Sequence, residues 1–211
     1  MLSTLSVRPA PSRAATKLEL TIGTLHAAAL TAPRNAVDST DAPYILVSVL
    51  GPRTTSDAMR LPASGHLQIR LDQAIGARPL VNLSLEPGDS VRLLVSVLTN
   101  GKVEDAAERT AASAGTRALA LASTQRSAQV ASALTPLTRT GARWLGSATL
   151  LVTNDAGTTY WRALECVATC TVLSGGGAAA IAPAAAPVVG VVQLSGAGGT
   201  YHMQLQGRQV P

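Results

Sequence analysis

A two-residue period constrains this chain more than any other feature. In Leu18-Glu19-Leu20-Thr21-Ile22 apolar and polar side chains alternate, and the pattern continues weakly through Leu25. It returns from His66 to Leu71, with Leu67, Ile69 and Leu71 on one side and Gln68 and Arg70 on the other. Successive strand side chains face opposite ways, so this alternation predicts half-buried strands. Tyr44 to Leu50 is apolar almost throughout, which suits a central strand, and Gly51-Pro52 ends it. Leu80 to Leu85 and Ser90 to Leu98 flank Glu86-Pro87-Gly88-Asp89, a strong turn signal, so residues 79–98 are expected to form a hairpin. Ser147 to Thr153, a strand, and Thr158 to Val172, a second strand or a pair of strands, flank a second turn, Asn154 to Gly157. Val188 to Leu194 and Thr200 to Gln206 form a terminal hairpin around a glycine-rich turn at 196–199.

The period changes only between 103 and 135. That stretch is rich in Ala, Glu, Arg, Gln and Leu and has no Pro until Pro136, which predicts helix. Glu104, Asp105 and Glu108 stand near its start, where carboxylates suit the helix dipole, and Gly115 interrupts it. The expected fold is therefore mainly β: an antiparallel β-sandwich of about eight strands with an α-helical insertion at about 103–135. Residues 1–16 are expected to be a flexible basic tail. Residues 17–207 form one domain, interrupted by a Gly/Ala/Pro-rich loop at 174–187.

Composition limits what fills the core and what binds the surface. The 211 residues include no Phe, two Trp and three Tyr, so the core must be built from Val, Leu, Ile and Ala. The same scarcity argues against stacking platforms for single-stranded nucleic acid. Net charge is +5, but the basic residues are scattered, so there is no strong nucleic-acid footprint. Anionic membrane or nucleic-acid contact would have to use Arg8, Arg13, Lys17, Arg109, Arg117 and Arg126. No stretch has the apolar length of a transmembrane helix. Residues 1–17 resemble an organelle transit peptide in composition and lack the apolar centre of a secretory signal, which points to the cytoplasm or an organelle interior.

Few residues offer chemistry. Cys166 and Cys170 would lie about 13 Å apart on one face of a strand, too far for a bridge, although a bend would let them meet. Two buried structural thiols, and with them a reducing compartment, are the expectation. His26, His66 and His202 fall on separate strands and predict no metal cluster. Asp38 and Asp41 share a loop, where they cap turns. No Gly-x-Ser-x-Gly elbow and no phosphate-binding loop is present. Asn82-Leu83-Ser84 is a formal glycosylation sequon inside a strand. No catalytic residue, cofactor or metal ligand is therefore assigned. Were the chain a hydrolase with a site built from distant loops, His66, His202, Asp41 and Cys166 would be its candidates.

Several motifs together resemble C2 domains. Leu18 to Ile22 leads into Asp41-Ala42-Pro43-Tyr44-Ile45-Leu46-Val47, similar to the family's opening strands. Gly88 to Val97 is similar to its central strand, and Leu145 to Leu150 with Trp161-Arg162-Ala163-Leu164 to its later segments. The resemblance spans residues 17–206. It departs where calcium would bind: Ala42 separates Asp41 from Pro43, and Leu98-Thr99-Asn100-Gly101 lacks paired aspartates. What it implies is a calcium-independent domain that binds protein rather than lipid. The functional expectation is a non-catalytic protein-binding or assembly domain whose partner is another protein or another copy of itself.

Overall fold

Most segments with a two-residue period are extended. The computed structural model describes residues 15–31, 40–51, 55–62, 65–99, 143–155, 158–175, 179–180 and 188–211. The elements among them are all strands. These are β1 (Thr16–Ala29), β2 (Thr40–Asp41), β3 (Pro43–Leu50), β4 (Thr55–Leu61), β5 (Ile69–Arg70), β6 (Ala74–Ile75) and β7 (Arg78–Leu85). They continue as β8 (Ser90–Thr99), β9 (Arg143–Asp155), β10 (Thr158–Ala168), β11 (Cys170–Ser174), β12 (Ala179–Ala180), β13 (Val188–Leu194) and β14 (Thr200–Val210).

They form two six-stranded antiparallel sheets and one small ribbon. The first sheet runs β11-β13-β14-β1-β6, with β7 also paired to β1. The second runs β12-β10-β9-β8-β3-β4, and β2 pairs with β5. β1 is the spine of the first sheet: β14 lies along one side from Lys17↔Val210 to Ala29↔Thr200, and β7 and then β6 lie along the other. Its inward residues are Leu18, Leu20 and Ile22, then Leu25 and Ala27. The phase slips because the register with β14 shifts between Ile22 and Thr24, a bulge at Gly23. That slip is why the sequence period fades after Ile22.

The inner faces of both sheets share one core. Leu20, Val47, Leu93, Leu150, Val192 and Met203 represent six of its strands, and its chemistry is aliphatic, as the composition demands. Each such side chain contributes roughly 1.5–3 kcal/mol on burial. On the second sheet the outward residues are buried as well: Leu46, Ser48, Leu94, Ser96, Leu98, Ser147 and Thr149. The middle strands β3, β8 and β9 are thus buried on both faces, which accounts for the nearly unbroken apolar run at Tyr44–Leu50.

The described residues are mainly β with antiparallel sheets, but the expectation of about eight strands with a helical insertion is corrected. The described residues form fourteen strands, against about eight expected, and contain no helix. Segment 103–135, expected to carry the helical insertion, lies outside the described residues. High helix propensity is a local preference with no tertiary information behind it. Much of the excess in strands comes from two-residue elements such as β2, β5 and β6, too short to show a period.

The hairpin expected at 79–98 is also corrected. The turn exists: Gly88 has φ 89°, and Asp89 N donates to Glu86 O at 3.0 Å. Yet β7 belongs to the first sheet and β8 to the second. Asn154 redirects the chain, because Gly88 N donates to its carbonyl (2.6 Å) and its own N–H donates to Asp89 O (2.9 Å). The terminal hairpin and the β9–β10 hairpin occur as expected. The strand expected at His66–Leu71 shrinks to β5. Arg70 and Gln73 bond to each other across a turn in which Asp72 has φ 57°, and Leu71 is left 56% exposed.

Candidate functional site

The chemistry-bearing residues separate into four places. Asp41 is fully buried at the end of β2. Its carboxylate accepts hydrogen bonds from Thr31 N (2.8 Å), from Thr31 Oγ1 (2.7 Å) and from the Tyr201 hydroxyl. Arg143 Nη1 donates to Thr31 O at 2.8 Å and ties the start of β9 to the same knot. Burial foremost, then the hydrogen bond to Asp41 and its negative charge, hold the Tyr201 phenol well above the usual tyrosine range. At neutral pH the phenol is therefore a fixed donor. The cluster joins the β1–β2 connection to β14 through partners 10 and 160 positions from Asp41.

His202 follows Tyr201 in β14, and neighbouring strand residues face opposite ways. Tyr201 points into the core, so His202 points away from Asp41. These two residues do not form an acid–base pair. On the outer face His202 stands directly opposite His26 of β1, with ring centroids 6.0 Å apart and planes 20° from parallel. Gln193 is its register partner on β13, with Oε1 3.4 Å from His202 Nε2. His66 belongs to another part of the molecule, edge-on to Tyr44 at 5.5 Å.

Cys166 and Cys170 form a disulfide with Cα atoms 5.5 Å apart. The expectation of two buried thiols is thus overturned, and with it the argument for a reducing compartment. Thr169, at φ 49°, bends the chain between β10 of one sheet and β11 of the other. The bend is anchored: Thr169 Oγ1 donates to Leu145 O at 3.0 Å, and Thr169 O accepts from Ser195 N at 2.7 Å. Gly146 permits this approach, since a Cβ there would sit 2.8 Å from Thr169 O. Cys166 is not available as a nucleophile.

The remaining candidates add little. Lys17 is exposed, and its Nζ donates to Pro211 O at 3.0 Å. Asp38, Arg8, Arg13, Arg109, Arg117 and Arg126 lie outside the described residues. Among the described residues, no group of three or more His, Cys, Asp or Glu side chains is placed to hold a metal ion. No helix among them is long and apolar enough to cross a membrane. The sequence did not single out Tyr201, Thr31 or Gln193. Each gains its place through pairing between distant segments, and no local motif marks it.

No protein-family model, curated protein or solved structure matches the chain. The likeness to C2 domains therefore rests on the strand motifs alone.

Proposed function

We propose that this chain is a non-catalytic protein-contact domain, binding a protein partner or further copies of itself through the edge of its first sheet that β11 forms among the described residues. The observation that carries this reading is the structural use of each candidate catalytic group. Asp41 is engaged by Thr31 and Tyr201, Cys166 is oxidised, His202 faces away from Asp41, and His66 packs on Tyr44. The edge supplies the contact. β11 is the terminal strand of its sheet, β13 is its neighbour there, and Leu173 on it is 52% exposed. An edge strand offers unpaired N–H and C=O groups to an incoming strand, and an exposed apolar side chain adds burial. The C2-like motifs support the same reading, as a calcium-independent protein-binding module. The disulfide favours an oxidising environment over the cytoplasm.

Size-exclusion chromatography with light scattering, over a range of protein concentrations and at two salt levels, tests the proposal. A discrete oligomer or a larger assembly is expected if copies join at this edge. A monomer under every condition removes self-assembly and leaves a heterologous partner to be sought by pull-down. Hydrolysis of ester or peptide substrates that survives replacement of His26, but is lost with His66, would overturn the non-catalytic reading.

A further inference from the structure

The outer face of the first sheet carries a feature that the contact role does not use. Gln193, His202, His26 and Ala74 occupy one row across β13, β14, β1 and β6, each opposite the next. Two imidazoles at directly opposed positions on antiparallel strands are held by backbone register, so their spacing costs little side-chain ordering. Their centroids are 6.0 Å apart. Imidazoles bound to one ion at about 2.0–2.1 Å per nitrogen have centroids roughly 5 Å apart at a tetrahedral angle, and about 6 Å apart as that angle opens. The rings lie 20° from parallel, so binding one ion requires both to turn about their side-chain torsions until a nitrogen of each points between them. Ala74, small and exposed, stands opposite His26 on β6, and both histidines are partly exposed. Gln193 Oε1 lies 3.4 Å from His202 Nε2, where an amide oxygen can orient the ring or join the coordination shell. The two cysteines do not compete, because they are joined to each other.

We propose that His26 and His202 form a two-imidazole site for a divalent transition-metal ion of the nickel–copper–zinc group. The ligand set selects the ion: imidazole suits these metals, whereas magnesium and calcium require oxygen shells. Water completes the coordination. The site sits on the sheet's central strands and clamps β1 to β14.

Isothermal titration of the full chain with nickel chloride tests this, repeated on His26→Gln, His202→Gln and His66→Gln after circular dichroism has shown each to be folded. One nickel site is expected in the unmodified chain, at least ~10-fold weaker after either of the first two substitutions and unchanged after the third. Calcium chloride is expected to give no heat of binding. Copper electron paramagnetic resonance on the unmodified chain needs no variant, and two coordinated nitrogens are the expected signature. The proposal is overturned if nickel does not bind, if His26→Gln or His202→Gln binds as tightly as the unmodified chain, if His66→Gln weakens binding equally, or if copper shows fewer than two nitrogens.

Discussion

Tyr201 and Asp41 make one of the strictest demands in the molecule, because a fully buried carboxylate is tolerable only while its donors stay in place. Tyr201→Phe keeps the ring and deletes one donor to a charged acceptor. It is expected to cost about 1.5–3 kcal/mol at pH 7, measured by urea denaturation. The same hydroxyl sets an alkaline limit. Its pKa in the folded chain lies above the unfolded value near 10, so the unfolded chain releases the proton more readily. The stabilisation is therefore intact below about pH 10 and declines as pH rises further. Urea midpoints at pH 7, 10 and 11 should fall less steeply for Tyr201→Phe than for the unmodified chain. Individual residues were legible in the sequence to an uneven degree. The alternating leucines of β1 and the aliphatic core could be read directly, because periodicity and composition are local properties. The disulfide could not be read as formed. It depends on Thr169 taking a positive φ, which threonine disfavours and which a tertiary anchor from Leu145 and Ser195 holds in place.

At the scale of elements, the turns were easier to locate than to interpret. Glu86-Pro87-Gly88-Asp89 is a turn in both sequence and structure, but Asn154 draws it into a step between sheets. Asn154 is fully buried and donates from Nδ2 to Leu85 O at 2.9 Å, a role no turn propensity conveys. β2, β5, β6 and β12 have two residues each and exist because neighbouring backbone is within reach. The site residues were partly legible for the same reason: Asp41 and His202 could be named, but which side of which strand they occupy is decided by register. Edge strand β11 yields the prediction proper to this scale. Leu173→Lys places a charge on the edge strand β11, a device that blocks strand addition. It should raise the concentration at which light scattering detects assembly by at least ~10-fold, about 1.4 kcal/mol, without lowering the melting temperature. A melting temperature that falls in parallel would mean that Leu173 serves the fold rather than the contact.

For the molecule as a whole, the two sheets are joined by a shared core and by chain crossovers, of which the β10–β11 bend alone is covalently closed by the Cys166–Cys170 bridge. In the chain-entropy account, closing so small a loop contributes about 2 kcal/mol. A dithiol reductant should lower the urea midpoint by a corresponding amount. The Cys166→Ser/Cys170→Ser variant should start at the lower value and ignore the reductant. An unmodified chain insensitive to the reductant would show that the anchored bend at Thr169 holds without the bridge.

The pairing of β1 with β14 also has a consequence for how the chain is made. Lys17 and Pro211 are hydrogen-bonded neighbours separated by 194 positions, and Lys17 faces Val210 in the ladder. On the ribosome β1 emerges before the other described strands. It acquires β7 on one flank after a few dozen further residues, while the flank destined for β14 stays bare until synthesis has passed position 210. At roughly 5–20 residues per second that wait lasts about 10–40 s. Throughout it, a 14-residue strand with alternating leucines presents an unsatisfied ladder to every other nascent copy nearby. Shielding of that flank during translation should therefore bear on how much folded protein a cell obtains.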